Sequence, residues 1–271
     1  MDLLLKKIKF LPVVLLLAVI SWSCGGDDGG SDPAPPRTAE DVRNDFKELA
    51  LSIDVGVNDL SLESVLEGYY WHFRIIMPPG ADLNNRRPLV LNLHGAAQSG
   101  SADAHKSTDC LVSPAFAGKE VIILSPNSKG MLWYEEANIV QVLALMDLVT
   151  ESLPVDPNRI AVTGYSDGGN GSWFFAQFYP NLFSASIPMA SSYNTKSSSG
   201  TVNKINVPLY VIHGANDELF PLEITEGYVN ESIQAGSDIT FEVAPGLSHN
   251  EPCNYVDYLK EAVTWLEQEV W

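Results

Sequence analysis

Apolar and polar positions divide most of the chain into two kinds of segment. Short, nearly continuous apolar runs alternate with longer stretches in which apolar residues recur at helical spacing. Apolar runs of this length are typical of buried strands. They occupy residues 88–95, 121–126, 159–164, 183–191, 207–214 and 239–246, and helical stretches lie at about 135–152, up to about 179, after 214 and at 255–270. The pattern predicts an α/β fold, with a mostly parallel central sheet covered by helices on both faces.

Two further elements are predicted ahead of these runs. The segment "TAEDVRNDFKELALSI" has Thr38 as a candidate N-cap, Asp41 three residues later and apolar residues at helical spacing. It predicts a short amphipathic helix, which is either a lid or a brace. The segment "YYWHFRIIMPPG" mixes aromatic and β-branched residues and ends at Pro-Gly, which is typical of a strand. With no internal repeat and no Pro/Gly linker after residue 65, we expect one catalytic domain over residues 38–271.

The first 23 residues have the pattern of a signal peptide. Lysines at positions 6, 7 and 9 precede an apolar run at residues 10–20. That run is too short for a typical membrane span but suits the apolar region of a secretory signal. We therefore expect residues 1–23 to direct export of the protein.

Cys24 stands where cleavage of the signal would fall. It opens a polar segment, "CGGDDGGSDPAPP", whose Gly, Pro and Asp content predicts a flexible tether over residues 24–37. The arrangement resembles a bacterial lipoprotein that is lipidated on Cys24, and it implies a place in the cell envelope, at the outer membrane, on its periplasmic side or its surface. It departs from that pattern at Ser21, where an aliphatic residue is usual. The alternative is ordinary signal cleavage in which Cys24 is discarded.

Composition restricts the partners of the protein. Of the 271 residues, 45% are hydrophobic, enough for a packed core, and the formal net charge is −18. A surface this acidic repels nucleic-acid phosphates and anionic lipid headgroups, so we expect no nucleic-acid partner and membrane contact only through a lipid anchor. In an oxidising compartment Cys110 and Cys253 either form a disulfide or remain free thiols. No CxxC motif or His/Cys cluster indicates a metal site.

A candidate nucleophile follows the run at residues 159–164. In an open α/β sheet, ligands bind at the carboxyl ends of the strands. There the sequence reads "TGYSDGG", which satisfies G-x-S-x-G between a predicted strand and a predicted helix. Such a turn brings backbone segments so close that only residues without Cβ fit at Gly164 and Gly168. The pattern predicts that Ser166 is a nucleophile.

A serine nucleophile needs a base and an orienting carboxylate. Of the five histidines, His249 lies after the last predicted strand and before the terminal helix, and Asp217 follows the preceding strand. The order Ser166, Asp217, His249 is that of α/β-hydrolases. Two other readings remain for the carboxylate: Asp217 could cap the next helix, and Glu218 or Glu223 could take its place.

The stretch "LNLHGAAQSG" follows the first long apolar strand. It fits the His-Gly motif whose backbone donates one N–H to a developing oxyanion. We assign that donor to Ala96 and the second donor to the backbone N–H of Asp167. His94 and Gly95 would then shape the loop, His94 through structural hydrogen bonds.

Residues 70–271 resemble an α/β-hydrolase of the polyhydroxybutyrate depolymerase, feruloyl esterase and dienelactone hydrolase-like group. The matching phrases are "LHGAAQSG", "VDPNRIAVTGYSDGG", "YPNLFSASIPMAS", "PLYVIHGANDELFP" and "APGLSHN". The resemblance implies ester hydrolysis through an acyl-enzyme on Ser166, with no metal or organic cofactor. The sequence departs from the group beside the nucleophile, where Tyr165 and Asp167 stand instead of the usual Trp or Asn. An acidic side chain at Asp167 would disfavour anionic substrates.

Substrate contacts are expected from aromatic residues near these motifs. Trp133 and Tyr134 lie on a predicted loop and Tyr165 adjoins the nucleophile, whereas Trp173 is expected in the core. The leading hypothesis is a carboxylesterase that removes feruloyl or acetyl groups from polysaccharide. The alternatives are a serine peptidase of the prolyl oligopeptidase type and a non-catalytic carbohydrate-binding surface lipoprotein.

Overall fold

A computed structural model of the protein describes residues 35–96 and 100–271. In it, one eight-stranded sheet organises the domain. The predicted signal peptide, Cys24 and all but the end of the predicted tether lie outside the described residues. The strands are β1 (Gly56–Glu63), β2 (Tyr70–Met77), β3 (Arg87–Leu93), β4 (Ile122–Pro126), β5 (Val155–Tyr165), β6 (Ala185–Met189), β7 (Leu209–Gly214) and β8 (Ile239–Ala244).

The sheet is parallel over most of its width. Its strand order is β1-β2-β4-β3-β5-β6-β7-β8. The β1/β2 and β2/β4 pairs are antiparallel, and every pair from β4 to β8 is parallel. The predicted α/β-hydrolase architecture is therefore confirmed. Because β3 to β8 run in one direction, the loops that carry the candidate chemistry all emerge at the same edge of the sheet.

Helices cover both faces of the sheet. They are α1 (Ala39–Ala50), α2 (Asp109–Ala115), α3 (Glu136–Ser152), α4 (Asp167–Phe178), α5 (Leu222–Gln234) and α6 (Val256–Trp265). Helices α1, α3, α4 and α5 contribute to one hydrophobic core, and α2 and α6 contribute to the other. Alternate residues of β3 enter opposite cores: Leu89 and Leu91 pack into the first and Val90 into the second. None of the helices in the described part of the chain has the length and apolarity to cross a membrane.

Two elements were not predicted from the sequence. Strand β1 contains the turn formers Asn58 and Asp59, yet it pairs with β2 over its whole length. Helix α2 is only seven residues long and contains Pro114. The final helix is also shorter than predicted, since α6 ends at Trp265 and a π-helical turn continues to Val270. Tertiary pairing and packing stabilise these segments against weak local propensity.

Helix α1 is a brace. Thr38 caps it as predicted, because its hydroxyl accepts a hydrogen bond from the Asp41 backbone N–H and the Asp41 carboxylate accepts one from the Thr38 N–H. Val42 and Phe46 are buried in the first core. Arg43 pairs with α3 through Glu151 at 2.8 Å. These contacts attach α1 to α3 and to the sheet.

Cys110 and Cys253 form a disulfide. Their Cα atoms are 5.3 Å apart and the bond closes a loop with a sequence separation of 143 residues. It joins α2 to a 3₁₀ turn at Pro252–Tyr255 that leads into α6. Of the two alternatives for these cysteines, the structure has the disulfide and not two free thiols. The bond links two elements on the same face of the sheet.

Candidate active site

The turn between β5 and α4 holds Ser166 in a backbone conformation that few non-glycine residues adopt, with φ 58° and ψ −118°. Close backbone approach makes this turn possible. A Cβ on Gly164 would lie 2.2 Å from the Gly168 carbonyl oxygen, and one on Gly168 would lie 1.9 Å from the Leu93 carbonyl oxygen. Only glycine fits at both positions, as the sequence predicts, and the turn raises the Ser166 side chain above the carboxyl edge of the sheet.

Ser166, His249 and Asp217 form one hydrogen-bonded chain. Ser166 Oγ lies 2.8 Å from His249 Nε2, and His249 Nδ1 lies 2.8 Å from Asp217 Oδ2. The other carboxylate oxygen, Asp217 Oδ1, accepts the backbone N–H groups of Leu219 and Phe220 at 3.0 and 2.8 Å. The Asp217 carboxylate thus both caps its own loop and reaches His249, so neither Glu218 nor Glu223 is needed for that position.

The loop that carries His249 is held by two tyrosines. Tyr165 donates its hydroxyl to the His249 carbonyl oxygen at 2.7 Å, and Tyr255 donates to the Ser248 carbonyl oxygen at 3.2 Å. Phe220 packs its ring edge-on against the imidazole, with centroids 5.2 Å apart. These contacts fix the ring relative to the turn that holds the serine.

The prediction that Tyr165 contacts substrate is wrong in this structure. Its side chain points from the end of β5 into the second core, and only 5% of its surface is exposed. Burial raises the pKa of its phenol well above the usual range, so the hydroxyl remains a donor to His249. Tyr165 positions the histidine loop.

The His-Gly loop lies directly against the nucleophile. A Cβ on Gly95 would be 3.5 Å from the Ser166 Cβ, which places the backbone of the next residue, Ala96, beside the serine. Asp167 is the first residue of α4, where backbone N–H groups have no intrahelical partner. Both residues assigned as donors from the sequence are thus neighbours of Ser166, Asp167 along the chain and Ala96 through Gly95.

His94 has the structural role predicted for it. Its Nδ1 donates to the Gly95 carbonyl oxygen at 2.6 Å, and its Nε2 accepts the Ser128 backbone N–H at 3.0 Å. Burial lowers the pKa of the imidazole to about 4, which keeps the ring neutral and able to make both bonds. The ring ties the His-Gly loop to the loop after β4.

Trp133 is buried, which contradicts its predicted role as a substrate wall. Its side chain is 0% exposed and its indole N–H donates to the His94 carbonyl oxygen at 2.8 Å. A loop position suggested ligand contact, but the carbonyl of His94 needs a buried donor and Trp133 supplies it. Tyr134, the next residue, is 42% exposed and is accessible from solvent.

Asp167 gives the site a negative electrostatic character. Only 6% of its surface is exposed, and burial raises the pKa of its carboxyl group to about 6 although a hydrogen bond from the Trp133 backbone lowers it. The charge of Glu135 contributes to the increase. A buried carboxyl group whose pKa is raised above its usual range, to about 6, therefore directly follows Ser166 in the chain.

Two separate cavities are lined by neighbours of Ser166: Asn170, one helical turn further along α4, and His249, whose Nε2 lies 2.8 Å from Ser166 Oγ. The first, which we call the aromatic cavity, has a volume of about 330 Å³ and is lined by Tyr134, Asn170, Phe174, Phe178, Ser192, Tyr193 and Asn194. The second, the histidine-side cavity, has a volume of about 430 Å³ and is lined by Glu218, Leu219, Ser248, His249 and Asn250. A third depression, lined by Arg87, Phe116 and Trp271 among others, shares no residue with these two cavities.

Sequence reasoning did not identify most of the residues that line the aromatic cavity. Asn170, Phe174 and Phe178 follow Ser166 at intervals of four residues, so α4 presents them along one side. This spacing was the signal available in the sequence. Trp173, by contrast, is buried as predicted, and it stacks on Tyr193 with ring centroids 6.1 Å apart.

Comparison with known proteins agrees with this arrangement. The family model of the dienelactone hydrolase family matches residues 127–266, a span that includes Ser166, Asp217 and His249. The chain belongs to the dienelactone hydrolase family. The predicted resemblance to this group is therefore confirmed.

Relatives of this family member include named esterases. A poly(3-hydroxybutyrate) depolymerase from Ralstonia pickettii is 30% identical over 140 residues, which cover 44% of this chain and 27% of that protein. The putative esterase NocK from Nocardia uniformis is 26% identical over 226 residues, covering 78% of this chain and 64% of that protein. The chain thus spans less than two thirds of the length of these curated relatives.

Solved structures share the fold of this family member. A thermostable esterase superposes with a TM-score of 0.66 at 20% identity, over 78% of this chain and 62% of that one. A putative dienelactone hydrolase from Klebsiella pneumoniae superposes with a TM-score of 0.61 at 16% identity, over 80% of this chain and all of the other. Identities this low describe the fold alone.

Proposed function

We propose that the protein is a serine hydrolase of carboxylic esters that works through an acyl-enzyme on Ser166. The observation that carries the proposal is the continuous chain from Ser166 Oγ through His249 to Asp217, with both links at 2.8 Å. Nucleophile, base and orienting acid within hydrogen-bond reach form the arrangement that acyl transfer requires. Membership of the dienelactone hydrolase family and the esterase names of two relatives support it.

The proposed reaction has two halves. Ser166 Oγ attacks the ester carbonyl while His249 Nε2 accepts the hydroxyl proton, and that proton then passes to the departing alcohol. Water next attacks the acyl carbon, His249 takes a proton from it, and the acid leaves as Ser166 regains its proton. Asp217 holds the imidazole in the tautomer that presents Nε2 to the serine. The backbone N–H groups of Ala96 and Asp167 stabilise the oxyanion in both halves.

For the substrate, we propose feruloyl or acetyl esters carried on a polysaccharide. The two open cavities lined by Asn170 and by His249 support a bulky substrate, because neither is an enclosed tunnel for a free fatty chain. The relative from Ralstonia pickettii is named for a polymeric ester, which also favours a substrate of this kind.

We also propose that the protein is exported and anchored in the cell envelope through a lipid on Cys24. The apolar run at residues 10–20 and the polar segment after Cys24 support it. Replacement of Cys24 by serine should move the full-length protein from the membrane fraction to the soluble fraction. An unchanged distribution would contradict the anchor and leave the catalytic proposal unaffected.

The catalytic proposal is tested with the full-length protein in mild detergent. Short-chain p-nitrophenyl, feruloyl and acetyl-sugar esters are assayed for the wild type, for Ser166→Ala and for the matched control Ser199→Ala, which alters an exposed loop serine. We expect Ser166→Ala to lower kcat by about 10³-fold or more while Ser199→Ala retains full activity. Wild-type turnover equal to that of Ser166→Ala on every ester would instead favour a non-catalytic binding protein.

A further inference from the structure

The aromatic cavity and the histidine-side cavity are lined by different neighbours of Ser166. Asn170 of the aromatic cavity is one helical turn after Ser166 on α4, and Tyr134 follows the loop that packs on the His-Gly segment. His249 itself lines the other cavity with Ser248 and Asn250. A substrate bound at Ser166 therefore has two directions in which to extend.

The direction of proton transfer decides which half of an ester takes which side. His249 Nε2 is the group that gives a proton to the departing alcohol, so the alcohol oxygen must leave beside the imidazole. This places the alcohol at the histidine-side cavity. The acyl group, which stays bonded to Ser166, is left with the aromatic cavity.

The lining of the aromatic cavity favours a planar aromatic acyl group. Phe174 and Phe178 have ring centroids 4.9 Å apart, and Tyr134 lies 6.2 Å from Phe174. Rings at these distances can stack against another aromatic ring in offset or edge-on geometry. The side chains of Asn170 and Asn194 border the same space and offer hydrogen bonds to substituents on that ring. An acetyl group would leave most of a volume of about 330 Å³ unfilled.

The charge around the cavity selects against a carboxylate on the acyl group. Its seven lining side chains are all uncharged, so none of them can pair with an anion. Asp167, the residue after Ser166, is buried, and its charge adds to the effect of burial in raising the pKa of the Tyr134 phenol. Glu135 adds a second negative charge beside it. An anionic acyl group that approaches this carboxyl group would meet two like charges.

We propose that the aromatic cavity is the acyl subsite, that it takes a planar aromatic acyl group without a negative charge, and that Asp167 is the residue that excludes anionic acyl groups. This inference rests on the proposed function, since it assumes catalysis at Ser166. It separates the two substrates considered above, because it favours a hydroxycinnamoyl-type acyl group over acetyl.

The acyl assignment is tested with p-nitrophenyl esters that share one leaving group and differ in the acyl chain. For the full-length protein, kcat/KM for 3-phenylpropanoate should exceed that for acetate by at least tenfold. Phe174→Ala and the rim variant Phe178→Ala should each reduce this ratio several-fold. Tyr70→Ala is the matched control, because Tyr70 is 43% exposed against 42% for Tyr134 but lies on β2, away from the cavity. It should keep the wild-type ratio.

The orientation is tested with a second series that keeps 3-phenylpropanoate and varies the alcohol. Phe174→Ala should change kcat/KM by the same factor for every alcohol. If the change in kcat/KM caused by Phe174→Ala depended on the alcohol and not on the acyl chain, the assignment would be overturned, and the alcohol would belong in the aromatic cavity. Equal rates for acetate and 3-phenylpropanoate that both require Ser166 would also overturn it while leaving the proposed function intact.

The role of Asp167 is tested by comparing 3-phenylpropanoate with its 4-carboxyphenyl analogue, which carries a negative charge. The ratio of kcat/KM for the neutral over the anionic ester should fall at least tenfold in Asp167→Asn. In the wild type the ratio should rise as pH increases through about 6, where Asp167 loses its proton. Tyr134 and Glu135 face the same carboxyl group but remain in Asp167→Asn, and effects on the catalytic groups shared by both esters cancel in the ratio. A ratio that is unchanged in Asp167→Asn would refute the exclusion.

Discussion

Removal of the disulfide should destabilise the protein by an amount set by the length of the loop that it closes. The bond has a sequence separation of 143 residues, and both cysteines are exposed, so Cys110→Ser with Cys253→Ser opens the loop without leaving a cavity. The chain-entropy relation gives about 5 kcal/mol for a loop of this length, above the typical ~2–4 kcal/mol for disulfides. We expect the unfolding free energy to fall by about 3–5 kcal/mol.

Urea unfolding followed by tryptophan fluorescence measures this loss. The wild type should unfold at clearly higher urea than the double variant, and wild type treated with a thiol reductant should match the variant. The single variant Cys110→Ser should behave like the double variant, because either change breaks the same bond. A loss below about 1 kcal/mol, with equal dependence on urea, would refute the reasoning, since it would mean that the unfolded chain gains little freedom when the loop opens.

Four further outcomes are expected. Gly168→Ala should prevent correct folding, because the added Cβ would lie 1.9 Å from the Leu93 carbonyl oxygen of β3. Gly227→Ala in helix α5 is the opposite case, because no atom lies within 4 Å of the added Cβ. It should raise the unfolding free energy by about 0.5–1 kcal/mol, measured by thermal unfolding. Ala96→Pro removes one proposed oxyanion donor and should lower kcat by ~10²–10³-fold in steady-state assays. Tyr165→Phe removes the hydrogen bond to the catalytic histidine loop and should lower kcat several-fold with little change in KM; an unchanged kcat would show that packing alone holds the loop. A hydrogen bond from Arg74 is the main cause that lowers the pKa of the Asp59 carboxyl group to about 2. The Asp59 carboxylate should therefore stabilise the fold above pH 4 and lose this effect as pH falls from about 4 to 2. The difference in unfolding free energy between wild type and Asp59→Asn should shrink over that range.

The sequence predicted the buried parts of the fold well because their signals are strong. Strands β3 to β8 each contain a short apolar run, and that run predicts the strand. Strand β1 was not predicted, since its Asn58 and Asp59 favour turns and only its pairing with β2 makes it a strand. Local pattern is a poor guide where partner strands decide the conformation.

The candidate site also contains some residues that the sequence identifies and others that it does not. Ser166, Asp217 and His249 could be chosen from their places after successive strands, because parallel strands bring those places together. The residues that line the cavities could not be chosen in this way. Trp133 looked like a ligand contact from its loop position, but it is buried under the carbonyl of His94, whereas Phe174 looked like part of a helix core and instead lines a cavity. Which side of a helix or loop faces solvent depends on packing that no single segment encodes.

The two residues that flank Ser166 serve opposite sides of the reaction. Tyr165 reaches into one core and holds the loop of the base, whereas Asp167 lies against the Trp133 segment beside the aromatic cavity. Under the proposed mechanism, a change at position 167 is therefore expected to alter which acyl groups are accepted and to leave intact the hydrogen bond from Tyr165 to the His249 loop. Within the proposed mechanism, variation at this one position would change the preference for charged acyl groups without passing through an inactive enzyme.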